Sequence, residues 1–295
     1  MDTLEQFSTA LADRIALAAP VTVAIHTGKR PASGILWRPD IVVASEQTLP
    51  PDTKSFQVLR GNRTINATIA GRDPGTNIAL LKLETALDGT LPQPADAIRV
   101  GQLALVVGAD ATGNPTGRLA MVHALGESWH SMAGGRIDLL IRLDTTLGPD
   151  EGGPVLSPAG GLIGMSTSGP RRRTIVIPTA TMSRIIPPLL AEGRIPRPWL
   201  GIGLQPVQIP DTLHQSTGRG SGLMVVALAG GGPAETAGIL PGDIVLDIDG
   251  TEITRARALS ALLGPDRIGQ PATLRILRAG AIQSVEVTIA ARPAS

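Results

Sequence analysis

The chain has 295 residues, 42% of them hydrophobic and 17% charged. That is enough apolar material for two packed domains and too little charge for a disordered tail. A net charge of +1, spread evenly before and after Trp199, excludes an electrostatic nucleic-acid binder. Cysteine is absent and aromatics are 2%, which excludes disulfides, thiolate metal sites, a cysteine nucleophile and base-stacking platforms.

Leu4, Phe7, Leu11 and Ile15 recur at helical spacing. Thr3 and Gln6 read as a capping box, so residues 1–19 are expected to form one amphipathic helix. The opening Met1-Asp2-Thr3-Leu4-Glu5 is acidic where a secretory signal is basic. No apolar run reaches the roughly 18 residues of a membrane span. The expected compartment is therefore the cytoplasm, or the periplasm if the start is misassigned.

Short β-rich runs then alternate with turn residues. Six fall at 21–27, 34–38, 41–45, 55–60, 65–72 and 78–83. A gap rich in Pro, Asp and Gly covers 86–97. Six more fall at 103–108, 118–127, 136–143, 154–157, 162–168 and 174–178. A mainly β fold with two six-stranded barrels over residues 20–193 is the natural architecture. A helical segment at 179–193 closes this part, despite Pro187 and Pro188. Arg194-Ile195-Pro196-Arg197-Pro198 reads as a stiff linker.

The remaining residues, 199–293, have the texture of a smaller domain. Strands are expected at 199–207, 222–227, 244–248, 274–278 and 283–290. Pro233-Ala234-Glu235-Thr236-Ala237-Gly238 reads as a short helix with a glycine cap, and 255–263 as a second helix. Asp249-Gly250 marks a hairpin.

The stretch from Gly232 to Gly250, including Leu240-Pro241-Gly242-Asp243, resembles a bacterial PDZ domain. Upstream, Gly148-Pro149-Asp150-Glu151-Gly152-Gly153-Pro154 resembles the nucleophile loop of the high-temperature-requirement (HtrA) family of trypsin-like serine proteases. Ser33-Gly34-Ile35 with Ile41-Val42-Val43-Ala44 resembles the strands leading to that family's histidine. Gly71-Arg72-Asp73-Pro74-Gly75-Thr76-Asn77-Ile78-Ala79 resembles the segment holding its aspartate. The resemblance implies a trypsin-like double barrel followed by PDZ, and hydrolysis of peptide bonds by Ser, His and Asp.

Matched onto the family's pattern, the nucleophile position carries Glu151, the histidine position Gln47 and the aspartate position Asn77. Glutamate has no hydroxyl to activate, and glutamine has no proton to exchange near neutral pH. Asparagine cannot stabilise an imidazolium. The oxyanion donor two residues before the nucleophile falls on Pro149, which has no N–H. These substitutions predict a protein without enzymatic activity, a pseudoprotease. His26, His123, His130 and His214 all lie outside the matching loop, and Ser45 and Ser157 read as ordinary strand-end serines. Glu46, Asp150 and Glu151 read as solvated loop carboxylates; no metal and no cofactor is expected. Arg171-Arg172-Arg173, in the stretch that walls the family's specificity pocket, is expected to cover the cleft and pair with Asp150 or Glu151.

Trp199-Leu200-Gly201-Ile202 resembles the family's carboxylate-binding loop, with Leu259 and Leu263 placed to line the terminal side-chain pocket. The expected partners are peptide or protein C-termini and unfolded segments, with the chain as adaptor, sensor or holdase. Two rivals stay open: a serine endopeptidase with a non-standard catalytic set, and a regulatory subunit in a mixed oligomer with active relatives. Phe7 is the only aromatic of the first helix, so homo-oligomer and mixed oligomer are not separated.

Overall fold

The computed structural model describes residues 2–28, 31–255, 259, 262–263 and 267–293, and falls into two compact units, Met1–Ile195 and Pro196–Ser295. The first unit opens with α1 (Thr3–Ala18), capped by Asp2. Helix geometry thus begins at Thr3 itself, and no side chain caps its first turn. The capping box expected at Thr3 and Gln6 is not formed, because a residue inside the helix cannot also serve as its cap. Leu11, Ile15 and Ala18 pack against Leu105, Val107, Leu156 and Leu162, while Leu4 and Phe7 stay exposed.

Six strands close the first barrel: β1 (Thr22–His26), β2 (Pro31–Arg38), β3 (Ile41–Ser45), β4 (Ser55–Arg60), β5 (Arg63–Asp73) and β6 (Ile78–Leu83). Their order is β1-β2-β3-β6-β5-β4, every pair antiparallel. Val23, Ile25, Val42, Phe56, Val58 and Leu81 fill the interior.

The second half follows with β7 (Leu103–Ala109), β8 (Pro115–Gly126), a side hairpin of β9 (Trp129–His130) and β10 (Arg136–Ile137), then β11 (Leu140–Leu143), β12 (Pro154–Leu156), β13 (Leu162–Ser168) and β14 (Thr174–Pro178). The second closed barrel runs β11-β14-β13-β12-β7-β8. The strand expected at 136–143 is thus two strands in different sheets. Asp138 makes the break: its N–H and carboxylate are both taken by the Thr181 hydroxyl, and Arg184 also holds the carboxylate.

Between the barrels lies a third apolar layer of Ile35, Val43, Ile78, Leu80, Met165 and Ile177. Helix α2 (Thr179–Glu192) seals it with Met182, Ile185, Ile186 and Leu189. Burial of that face holds the helix together through Pro187 and Pro188, whose missing N–H groups break its hydrogen-bond ladder.

The second unit begins with β15 (Pro198–Trp199), which pairs with the late strand β22 (Ala290–Ala291). Strand β16 (Ile202–Gln208) follows, then α3 (His214–Thr217), β17 (Ser221–Leu228), α4 (Pro233–Thr236), β18 (Ile244–Ile248), β19 (Thr251–Glu252), β20 (Pro271–Arg278) and β21 (Ala281–Thr288). The sheet order is β16-β17-β18-β20-β21, so β16, which contains Pro206, lies at one edge. The strand expected over 199–207 is interrupted at Leu200 and Gly201, where a φ of +76° at Gly201 turns the chain. Of the helix expected at 255–263, residues 256–258 and 260–261 lie outside the described residues. Leu263 N–H bonds Leu259 C=O at 3.0 Å, an i to i+4 contact.

Inside this unit Asp243 is buried beneath Arg278, whose Nε and Nη2 grip its two oxygens at 2.8 and 2.7 Å. Leu240 N–H adds a third bond at 2.7 Å. Burial pushes this carboxyl up, but the hydrogen bonds from Arg278 and Leu240 outweigh it and hold the carboxyl below the ordinary range. A depressed folded-state pKa means that the unfolded chain takes up the proton first. The stabilisation is therefore full above about pH 4 and fades as the pH falls through the folded-state value. Asp243→Asn is expected to destabilise this unit by about 2 kcal/mol at pH 7, with a smaller difference from the parent at pH 3. Urea unfolding of both proteins at the two pH values measures this.

Candidate functional site

The Gly148–Pro154 loop crosses the mouth between the barrels, and glycines let it do so. A Cβ on Gly152 would lie 2.2 Å from Ser33 O, and Gly152 sits at φ +95°. Three bonds pin the loop: Ser33 N–H to Glu151 O at 2.8 Å, the Ser33 hydroxyl to Pro149 O at 2.7 Å, and Gly152 N–H to Ser166 O at 2.9 Å. Together they aim the Glu151 side chain at the end of β13.

There it meets residues from three other segments. Gln47 Nε2, just past β3, donates to Glu151 Oε1 at 2.5 Å, to Ser168 O at 2.9 Å and to Thr167 Oγ1 at 3.0 Å. Ser168 gives its N–H to Oε1 at 3.0 Å and its hydroxyl to Oε2 at 2.7 Å. The hydroxyls of Thr167 and Ser45 lie 3.2 and 3.3 Å from Oε1. Asn77, before β6, has a φ of +58°, a conformation asparagine tolerates better than most residues. Its Oδ1 accepts Gln47 N–H at 2.8 Å, and its Nδ2 donates to Thr167 Oγ1 at 2.5 Å and Ser45 Oγ at 3.0 Å. The structure thus brings Gln47, Asn77 and Glu151 into one polar network. Pro149 lies at its border, lining a cleft of about 730 Å³ with Glu151, Ser168, Thr48, Leu147 and Arg172.

The reading of Glu46, Asp150 and Glu151 as solvated loop carboxylates needs correction, since each has its own partner. Glu46 pairs with Arg72 at 3.3 Å, and Asp150, buried, pairs with Arg118 at 3.2 Å. Among the described residues no group of three such side chains is placed to hold a metal ion. Arg172 does line the cleft, but Arg118 takes the place expected of the arginine run as partner of Asp150. Among the described residues no ion pair joins Arg171, Arg172 or Arg173 to Asp150 or Glu151. The cause is local: β8 brings Arg118 to Asp150, and neutral donors surround Glu151. Sequence reasoning missed Thr167, Ser168 and Arg118. Adjacent hydroxyl residues at a strand end were the one available signal.

Chemically, the arrangement is a carboxylate held by an amide, a backbone N–H and hydroxyls. The Ser168 hydroxyl donates a hydrogen bond to Glu151 Oε2.

A second site lies in the other unit. Trp199, Leu200, Gly201, Ile202, Leu259 and Leu263 line one depression of about 170 Å³. Ala229 N–H bonds Gly201 O and Ala234 N–H bonds Leu200 O, which fixes the loop. Among the described residues the N–H groups of Leu200 and Gly201 meet no backbone acceptor. Leu200 and Leu263 are buried and also belong to the domain core, whereas Leu259 is half-buried.

Glu151→Ala would strip Gln47 Nε2 and the Ser168 N–H and hydroxyl of their acceptor. It is expected to destabilise the barrels by about 1–2 kcal/mol, against near zero for a free surface carboxylate. Urea midpoints of the two proteins give the comparison.

Comparison with known proteins matches residues 32–165 to the trypsin-like peptidase domain and residues 198–289 to the PDZ domain. A protein of Marinomonas sp. (strain MWYL1) named "Probable periplasmic serine endoprotease DegP-like" is 28% identical over 80% of this chain and 51% of its own length. One of the same name from Chlamydia pneumoniae is 27% identical over 88% of this chain and 55% of its own length. The chain thus spans about half the length of these relatives. Among solved structures, the serine endoprotease from Yersinia pestis superposes with a TM-score of 0.75 at 21% identity, over 96% of this chain and 98% of its own. The HtrA-type protease AlgW with tripeptide gives 0.70 at 25%, over 97% and 98%.

Two expectations are corrected by these relatives. That of a protein without enzymatic activity runs against relatives named serine endoproteases and structural neighbours that are HtrA proteases, which point to an enzyme. It rested on Gln47, Asn77, Glu151 and Pro149 and left out the hydroxyls of Thr167 and Ser168 beside Glu151. The cytoplasmic expectation runs against relatives named periplasmic. It rested on the acidic opening residues and the lack of a long apolar run. The chain joins a trypsin-like peptidase domain to a PDZ domain, the architecture of the HtrA/DegP-type serine proteases that it resembles.

Proposed function

We propose that this HtrA-type protein captures peptides and unfolded protein segments by their free C-termini in the PDZ groove. The observation that carries the reading is the depression at Trp199–Ile202, beside the edge strand β16, with the Leu200 and Gly201 N–H groups meeting no backbone acceptor among the described residues. An extended peptide can add to β16 as a further strand, its carboxylate taken by those N–H groups. Leu259 and Leu263 favour an apolar last residue. Solved neighbours carrying a decapeptide and a tripeptide support peptide capture, and the relatives' names support a periplasmic setting.

Binding by the full chain is expected in the micromolar range, since a few terminal residues bury little area against the cost of ordering them. Amidating the peptide terminus is expected to weaken it about ten-fold, the loss of one or two charge-assisted hydrogen bonds. Leu259→Asp is expected to abolish it for a terminal Val and to leave the fold intact, because Leu259 is half-buried. Leu263 is a poorer probe, being part of the core. Fluorescence anisotropy with free-acid and amidated decapeptides reads both effects; equal affinity for the two peptides would overturn the proposal.

The serine endoprotease relatives and the cleft beside Glu151 favour a second activity, peptide hydrolysis with a non-standard set of groups. The contact that could start it is Ser168 Oγ on Glu151 Oε2, hydroxyl against base at 2.7 Å. Casein cleavage that is lost in Ser168→Ala is the expected sign. No cleavage above a blank, or full activity in Ser168→Ala, removes this set.

A further inference from the structure

We infer that Arg292 pairs with the terminal carboxylate of a peptide seated in the PDZ groove, an inference that rests on the peptide-capture reading. Among the described residues lining that depression, Arg292 is the one charged side chain, beside Pro198, Trp199, Leu200, Gly201, Ile202, Leu204, Leu259 and Leu263. Arg292 comes from the far end of the domain, and its position is fixed by backbone bonding. Strand β22 pairs Ala291 with Pro198 and Ala290 with Trp199, and Arg292 N–H bonds Arg197 O at 2.7 Å. The residue just past this short ladder is thus held beside the loop that turns at Gly201.

The other arginines of this unit that appear in ion pairs already have carboxylates. Arg278 holds Asp243, Arg275 and Arg219 hold Asp247, and Arg267 holds Asp249. Among the described residues no carboxylate pairs with Arg292. A carboxylate has room for more donors than the two N–H groups of Leu200 and Gly201. A guanidinium adds a planar pair of them and a full charge.

The test uses the full chain and a labelled decapeptide ending in Val, as free acid and as amide, with the parent, Arg292→Gln and Arg292→Lys. Arg292→Gln is expected to weaken the free acid about three- to five-fold, the scale of a solvent-exposed pair, and to leave the amide unchanged. Arg292→Lys is expected to keep most of the affinity, and added salt to shrink the difference between parent and Arg292→Gln. Equal weakening of both peptides, or of neither, overturns the role of Arg292 and leaves the groove reading standing. A parent that binds acid and amide alike overturns the groove reading first, and this inference with it. Melting temperatures of both variants within about 2 °C of the parent establish that the effect is local; a variant that melts lower and weakens both peptides counts against the inference.

Discussion

Close backbone approach at the Gly148–Pro154 loop is the constraint on which the first unit depends. Gly152 lies against Ser33 O, Gly153 against Val107 O, and Gly108 against the Cα of Asp150, each nearer than any side chain would allow. With no Cβ in the way, one loop reaches both barrels and ties them by main-chain bonds. The apolar layer of Ile35, Val43, Met165 and Ile177 then has fixed walls to pack against. Dispersion and hydrophobic burial supply most of the energy, but they are indifferent to direction. The loop supplies the direction.

Polar contacts at the loop follow from that alignment. Three other chain segments converge on Glu151: Gln47 and the Thr167–Ser168 strand end donate to it, and Asn77 donates to the Thr167 hydroxyl. A lone half-buried carboxylate would be costly, and this one is held by neutral donors, with no ion pair to it among the described residues. Asp150, one residue earlier, is buried and ion-paired to Arg118. Adjacent carboxylates are thus settled by different means because alternate residues of a turn face opposite ways.

Much of the architecture was legible in the residues. Twelve barrel strands follow from β-branched runs and turn residues, and the small domain from Pro233–Gly238 and Leu240–Asp243. The splitting of 136–143 was not legible, because it depends on Thr181, more than forty residues away, capturing Asp138. Nor was the partner of Asp150, since the register of β8 decides which arginine arrives. Three arginines in a row at 171–173 stand out along the chain, whereas Arg118 reaches Asp150 only through the fold. The positions of Gln47, Asn77 and Glu151 were visible through resemblance; their mutual bonding needed the fold. Arg292 had no signal at all, for nothing in the residues near the chain end marks them as neighbours of Trp199.

Pro206 sets a limit on what β16 can do. An edge strand offers a row of free donors and acceptors, and proline removes a donor from that row. Ahead of it, Ile202–Gln205 leaves a ladder only four residues long. That is sufficient for a chain end and too short for a long β-ribbon to zip along. The same interruption works against a second copy of the domain pairing edge to edge, which is how exposed strands begin to aggregate. The free edge of this sheet is therefore protected from becoming the seed of a deposit.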